Sequence, residues 1–326
     1  MKRREFIMLL GGAAAWPHAA RAQQGERLRR IGVLETVSES ANAANFDAFR
    51  RGLRALGYIE GQSIAIEYRS ADGRAERFAA LAAELVRLPV DVIITRGTPA
   101  ALAAKQATTT IPVVMAAIGE PLGVGVVASL AHPGGNVTGF SAFTSELSGK
   151  RVELLKEVFP AVSRVGFLNN MSNPVAPPQW ETTKTAGDSL GIATELLDVR
   201  VHDDIPRAFS AAAAAKLGAL LVGVDAVTQA NAVLIVGQAE RMRMPVIYAS
   251  REFVDVGGLM TYSVNYPDLY RRAAGLVDKI FKGVRPGDLP VEQPTKLELV
   301  VNLKTARAIG VELPPMLLAR AEEVIE

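Results

Sequence analysis

The stretch Asp91-Val92-Ile93-Ile94-Thr95-Arg96-Gly97-Thr98-Pro99-Ala100-Ala101 runs from a short apolar, β-branched segment directly into a helix start. A continuous apolar run of this length suits a strand buried on both faces. Gly97 turns the chain, and Pro99 fits a first helical turn, where its missing N–H leaves nothing unpaired. The spacing predicts a strand over 90–95, a helix over 99–108 and a second strand over 112–118. Strand, helix, strand in that order is a right-handed βαβ unit with parallel strands.

Outward from this unit the same alternation continues. Towards the N-terminus, 28–35 reads as a buried strand containing Ile31, Val33 and Leu34. Phe46, Phe49, Leu53 and Leu56 recur at helical spacing over 45–56, and Gly57 stops that helix. A half-buried strand over 63–68 and a helix over 75–88 follow. The pattern restarts after Ser141: helix 146–159, strand 163–168, helix 182–190, strand 192–199, helix 205–215, strand 218–224, helix 227–242 and strand 245–249. Ile31-Gly32-Val33-Leu34 is echoed by Val165-Gly166-Phe167-Leu168. The fold class expected is α/β, with two doubly wound parallel-sheet lobes, a hinge at Gly139-Phe140-Ser141 and a ligand cleft between the lobes. Lobe one is expected over 28–140 plus about 265–290, and lobe two over 141–264 plus about 291–326. The tail predicts a strand over 259–264, a helix over 267–281, a surface linker over 283–294, a strand over 297–302, a helix from Lys304 and a terminal helix over 314–326.

Composition narrows the function. A chain of 326 residues is long enough for two domains. A net charge of +2 offers no concentrated basic face for nucleic acid. The absence of cysteine removes disulfides, thiolate metal sites, a cysteine nucleophile and a lipidated N-terminal cysteine. No Gly-x-Gly-x-x-Gly follows the first strand, and no phosphate loop or His-Glu-x-x-His occurs. The three histidines, His18, His132 and His202, fit no nucleophile arrangement. We expect no catalytic residue, no metal and no cofactor.

The N-terminus reads as an export leader over 1–22. Met1 to Arg4 is basic, an apolar core follows, and Ala20-Arg21-Ala22 fits a small-x-small cleavage site. Arg3-Arg4 makes it similar to a twin-arginine leader. The apolar core is too short to span a bilayer. The mature chain is expected to start at Gln23 and to be soluble and periplasmic, without stable membrane insertion.

Several stretches together resemble the tryptophan-type substrate-binding proteins of ABC transporters. They are Phe46 to Gly61 (FDAFRRGLRALGYIEG), Asp91 to Ala101, Ser129 to Gly139 (SLAHPGGNVTG), Lys150 to Glu157 (KRVELLKE), Pro294 to Ala306 and Arg320 to Glu326. Glu120 replaces the aspartate and His132 the arginine common in that family. The resemblance implies a type I two-lobed binding fold, a small-molecule solute with aromatic amino acids as the best-known ligands, and an ABC permease with its ATPase as partner. A sensor of the same fold and an exported enzyme are the alternatives.

An amino acid needs donors for its carboxylate, acceptors for its ammonium and a wall for its side chain. Gly97 and Thr98, at a helix start, suit the carboxylate; Thr98 reads equally as a helix cap. Asp225 and Glu120, at strand ends, suit the ammonium; the alternative for each is a helix N-cap or first-turn charge. Glu35 and Thr36, Asn169 and Asn170, and Ser250 are further strand-end polar groups where this fold places ligands. Tyr262 or Tyr248 would supply an aromatic wall, each being also a natural core residue.

Overall fold

The computed structural model describes residues 28–326; the leader expected over 1–22 lies outside the described residues. The first half forms β1 (Arg29–Glu35), α1 (Ala43–Ala55), β2 (Ile64–Ser70), α2 (Phe78–Arg87), β3 (Val92–Arg96), α3 (Thr98–Ala107), β4 (Val113–Ile118) and β5 (Val137–Ser141). These strands pair in the order β2-β1-β3-β4-β5, all parallel. The second half forms α4 (Thr144–Val158), β6 (Arg164–Asn169), α5 (Ala176–Ser189), β7 (Ala193–Asp198), α6 (Asp204–Ala214), β8 (Ala219–Val222), α7 (Ala226–Ala230), α8 (Ala232–Arg241), β9 (Val246–Tyr248), α9 (Arg251–Asp255) and β10 (Met260–Val264). After α10 (Tyr266–Phe281) come β11 (Leu297–Asn302), α11 (Leu303–Ile309), α12 (Pro315–Arg320) and β12 (Glu323–Ile325). The second sheet has the order β12-β11-β10-β9-β8-β6-β7, parallel except for the β10–β11 pair.

Each sheet is covered on both faces, as its continuous apolar strands require. In the first, Ile31, Val33, Val92, Ile94 and Val114 pack under α1 and α10. The alternate residues Leu34, Ile93, Val113 and Met115 pack under α2 and α3. α10 therefore covers the first sheet although β10 before it and β11 after it belong to the second. The chain passes between the sheets after β5, at Asn265, and again between Glu292 and β11.

Several expectations are corrected. The stretch 137–141 is a strand, and the chain leaves the first sheet at Ala142 and Phe143. Gly139 lies inside β5 at φ 138°, where a Cβ would come within 2.2 Å of the Met115 carbonyl oxygen on β4. The prolines near 177 open α5 within its first turn, so that helix begins at Ala176. The expected helix over 227–242 is divided at Asn231 into α7 and α8. The stretch 283–294 is not a plain surface linker. Leu289 and Val291 are buried, and the backbone pairs with the edge of β5, Ser141 N–H donating to the Glu292 carbonyl at 2.9 Å. The chain ends in β12 rather than a helix, because the β11 edge offers unpaired backbone groups to Glu323–Ile325.

Candidate functional site

In an open α/β sheet, consecutive helices leave on opposite faces where the strand order reverses, and this opens a crevice at the carboxyl ends of the strands. The switch point of the first sheet lies between β1 and β3, and that of the second between β6 and β8. The two crevices face each other. Between them lies a narrow cavity of about 30 Å³, which has to widen to take a ligand larger than a water molecule. Thr36, Arg96, Gly97, Thr98 and Gly119 line it from the first lobe, and Asn173, Asp225 and Gln229 from the second. Thr144 and Tyr266 line it from the connections between them.

The lobes are closed on one another. The Thr36 hydroxyl donates to Gln229 Oε1 across the cleft at 2.9 Å. Glu252 of α9 accepts from Asn45 Nδ2 at 3.0 Å and from the Arg96 guanidinium, both on the first lobe. Ala226 of α7 is buried in the first lobe's cluster with Leu34 and Ile93. Gly73 of the first lobe meets α7 so closely that a Cβ would lie 2.6 Å from the Ala230 methyl.

Four of the expected ligand residues line this cavity: Thr36, Gly97, Thr98 and Asp225. Thr98 is not a cap. Gly97 occupies the N-cap of α3, and the Thr98 hydroxyl donates to the Gly119 carbonyl at 3.2 Å, tying β3 to β4. Asp225 does cap α7, accepting from Val227 N–H at 2.9 Å. It also accepts from the side-chain amides of Asn170 at 3.1 Å and Asn173 at 2.9 Å. The backbone at the start of α7 completes a capping box on the same carboxylate, so its roughly four acceptor positions are taken in the closed structure. Burial pushes the Asp225 carboxyl above its ordinary value, and these hydrogen bonds pull against it.

The others lie elsewhere. Glu120 accepts from Ser145 N–H at 3.3 Å at the start of α4, which is the helix-terminal charge role. Asn169 is buried and spends its side chain on Gln179 at 3.1 Å and Asn170 N–H at 2.9 Å. Ser250 is fully buried at the N-cap of α9. Tyr262 packs between the cores of both lobes, and its carbonyl accepts from Arg151 Nε at 2.8 Å. Tyr248 is core, stacked on Phe253 with ring centroids 4.8 Å apart.

The aromatic group at the cavity is instead Tyr266, the first residue of α10, with the Arg96 guanidinium 4.5 Å from its ring centre. Sequence reasoning also missed Arg96, Thr144, Asn173 and Gln229. Arg96 left one signal, a charged residue closing an apolar strand. The rest left none, because only the closure of two lobes gathers them. Arg96 is 2 % exposed and bonds Asn42 Oδ1 at 3.1 Å. Two carboxylates share its charge. Glu35 is fully buried and hydrogen-bonded by Tyr270; burial pushes its carboxyl up to about 7, against the pull of Arg96. Burial would raise Glu252 as well, but the Arg96 charge together with hydrogen bonds to the carboxylate holds it below its ordinary value.

The family model for ABC transporter substrate binding proteins matches residues 30–325. The chain belongs to this family. A tyrosine-binding protein of Clostridioides difficile is 25 % identical over 287 residues, 88 % of this chain and 82 % of the relative. An ABC domain from Streptococcus pneumonia in complex with L-Trp superimposes with a TM-score of 0.84 at 29 % identity, covering 91 % of this chain and 100 % of that one. A ligand-free, open substrate-binding protein with adhesive properties from Clostridium difficile superimposes at only 0.65, over 91 % of this chain and 99 % of that one, at 26 % identity. As a substrate-binding protein of this family, the chain has the two-lobed α/β fold of type I periplasmic binding proteins, shared with a leucine-binding protein of Thermotoga maritima at 15 % identity and TM-score 0.59. Among the described residues, no helix is long and apolar enough to cross a membrane.

Proposed function

We propose that this substrate-binding protein captures an amino acid, aromatic ones foremost, in the interlobe cavity and hands it to an ABC permease driven by its ATPase. The observation that carries the reading is the cavity itself. It lies where both switch points meet, and it joins a buried carboxylate (Asp225) to donors at the start of α3. Helix N-termini favour a carboxylate through their free N–H groups and dipole. Pro99 has no N–H, Gly97 N–H donates to the Ala117 carbonyl and Ala101 N–H to the Gly97 carbonyl, which leaves the N–H groups of Thr98 and Ala100 without a partner inside the helix. Tyr266 supplies an aromatic surface beside them. The relatives named for tyrosine and crystallised with L-Trp supply the ligand class.

In this reading Thr36, Gly97, Thr98 and Asp225 belong to the ligand shell. Lobe one is 28–140 plus about 265–290, and lobe two is 141–264 plus about 291–326. The segment around Gly139, Phe140 and Ser141 sits beside the first connection about which the lobes turn. The leader over 1–22 exports the chain, cleavage after Ala22 leaves Gln23 first, and the site works in the periplasm without catalysis.

The test is calorimetry and thermal shift on the chain from Gln23 with aromatic and aliphatic amino acids, aromatic acids, purines and short peptides. A ligand that binds only the folded state raises its melting temperature. Selective stabilisation by L-tryptophan or L-tyrosine is expected. Silence from all amino acids alongside a response to another class would overturn the ligand assignment.

A further inference from the structure

Gln229 lies one helical turn after Asp225, and its backbone N–H donates to the Asp225 carbonyl at 2.9 Å. Its side chain lines the interlobe cavity and is 8 % exposed. One end of the amide is used: Oε1 accepts the Thr36 hydroxyl from the opposite lobe. The other end, Nε2, is buried with no hydrogen-bond partner. Buried donors are almost always satisfied, so an unpaired one on the wall of a cavity needs an explanation. Thr144 Oγ1, also buried and unpartnered, lines the same cavity.

Resting on the amino-acid reading above, we propose that Gln229 recognises the ligand's carboxylate through Nε2 while Thr36 holds Oε1. Recognition and closure then become one event. With the lobes apart, Thr36 and Gln229 separate, and the amide loses the contact that orients it. With the lobes together but no carboxylate, Nε2 is desolvated and unpaired. Only closure on a carboxylate satisfies both ends. Asp225, which caps the helix carrying Gln229 and lines the same cavity, takes the ammonium. A donor for the carboxylate and a carboxylate for the ammonium on one wall select an α-amino acid over a simple acid or amine.

The test compares L-tryptophan, indole-3-propionate (carboxylate only) and tryptamine (ammonium only) by calorimetry on wild type, Q229M and T36V. Melting temperatures confirm that each variant folds. Q229M removes the same cross-lobe bond as T36V, so it is expected to weaken tryptamine only as much as T36V does and L-tryptophan and indole-3-propionate at least fivefold more; equal losses in the two variants for all three ligands overturn the carboxylate role. T36V is expected to weaken all three by similar factors, because it acts on closure. A Q229M protein that folds and binds L-tryptophan like wild type overturns the proposal. A Q229M loss confined to tryptamine overturns the carboxylate assignment. If wild type binds none of the three but binds another solute class, the amino-acid reading falls and this proposal falls with it. Binding by wild type with no effect of Q229M removes the proposal alone.

Discussion

Glu252→Gln tests whether closure rests on the ion pair across the cleft. Glu252 Oε1 receives both Arg96 and Asn45 from the first lobe. Arg96 is 2 % exposed and the Glu252 side chain 22 %. Removing one partner of a fully buried pair costs about 3–5 kcal/mol. Three features reduce that here. Glutamine keeps a neutral acceptor for both donors, Glu252 is not fully buried, and Glu35, about half ionised at pH 7, still balances part of the Arg96 charge. The remaining loss is the difference between a charge-assisted and a neutral hydrogen bond, about 1–2 kcal/mol. The bonds exist only when the lobes are together, so the cost falls on the closed state. A closed fraction reduced by that amount lowers the apparent affinity about tenfold. Calorimetry with L-tryptophan measures the affinity, and small-angle scattering measures compaction on saturation. A variant that melts like wild type, binds within twofold and compacts equally would refute the argument that this pair holds the lobes shut.

Gly73→Ala places a methyl 2.6 Å from the Ala230 methyl at a residue with φ 77°. Calorimetry should show weaker ligand binding than the left-handed backbone strain of about 1 kcal/mol would account for, and scattering should show a wider free protein; unchanged binding would mean the contact yields easily. Asp225→Asn keeps a side-chain oxygen for the α7 cap but removes the charge. Affinity for L-tryptophan should fall at least tenfold, roughly 1.4 kcal/mol, and equal affinity would remove Asp225 as the ammonium acceptor. Glu35→Gln should flatten the pH dependence of stability. Burial pushes the Glu35 carboxyl up to about 7 when folded, against 4.5 for a free glutamate, so the folded state keeps a proton that the unfolded chain releases. Stability therefore falls as pH rises from about 4.5 to 7, by up to about 3 kcal/mol from this group. Glu298, also pushed up to about 7 by burial, keeps its own share of the slope in the variant. Urea unfolding at pH 5 and pH 7.5 gives the comparison, and identical slopes would sink the assignment.

The fold was legible in the chain because it rests on local patterns. Val92 to Arg96 is a buried parallel strand whichever residues surround it, and Phe46, Phe49 and Leu53 mark a helix face by spacing alone. Repeating that grammar twice forces two sheets, and the rule for strand order then places a crevice at the end of each. Where a neighbour supplies the missing backbone partner, local reading fails. β12 exists because β11 presents an edge, and the stretch around Val291 is held by Leu130 and β5.

The site divides on the same line. Thr36, Thr98 and Asp225 were found because each follows a strand, a position any α/β sequence reveals. Tyr266, Gln229 and Glu252 were not, because their role depends on where a whole lobe docks. Tyr266 begins a helix that returns to the first sheet after more than one hundred residues in the second. Gln229 and Glu252 meet Thr36 and Arg96 across separations of 193 and 156 residues. Sequence carries strand and helix periodicity over short range; contacts between two rigid bodies are set by their packing, and only the tertiary structure decides them.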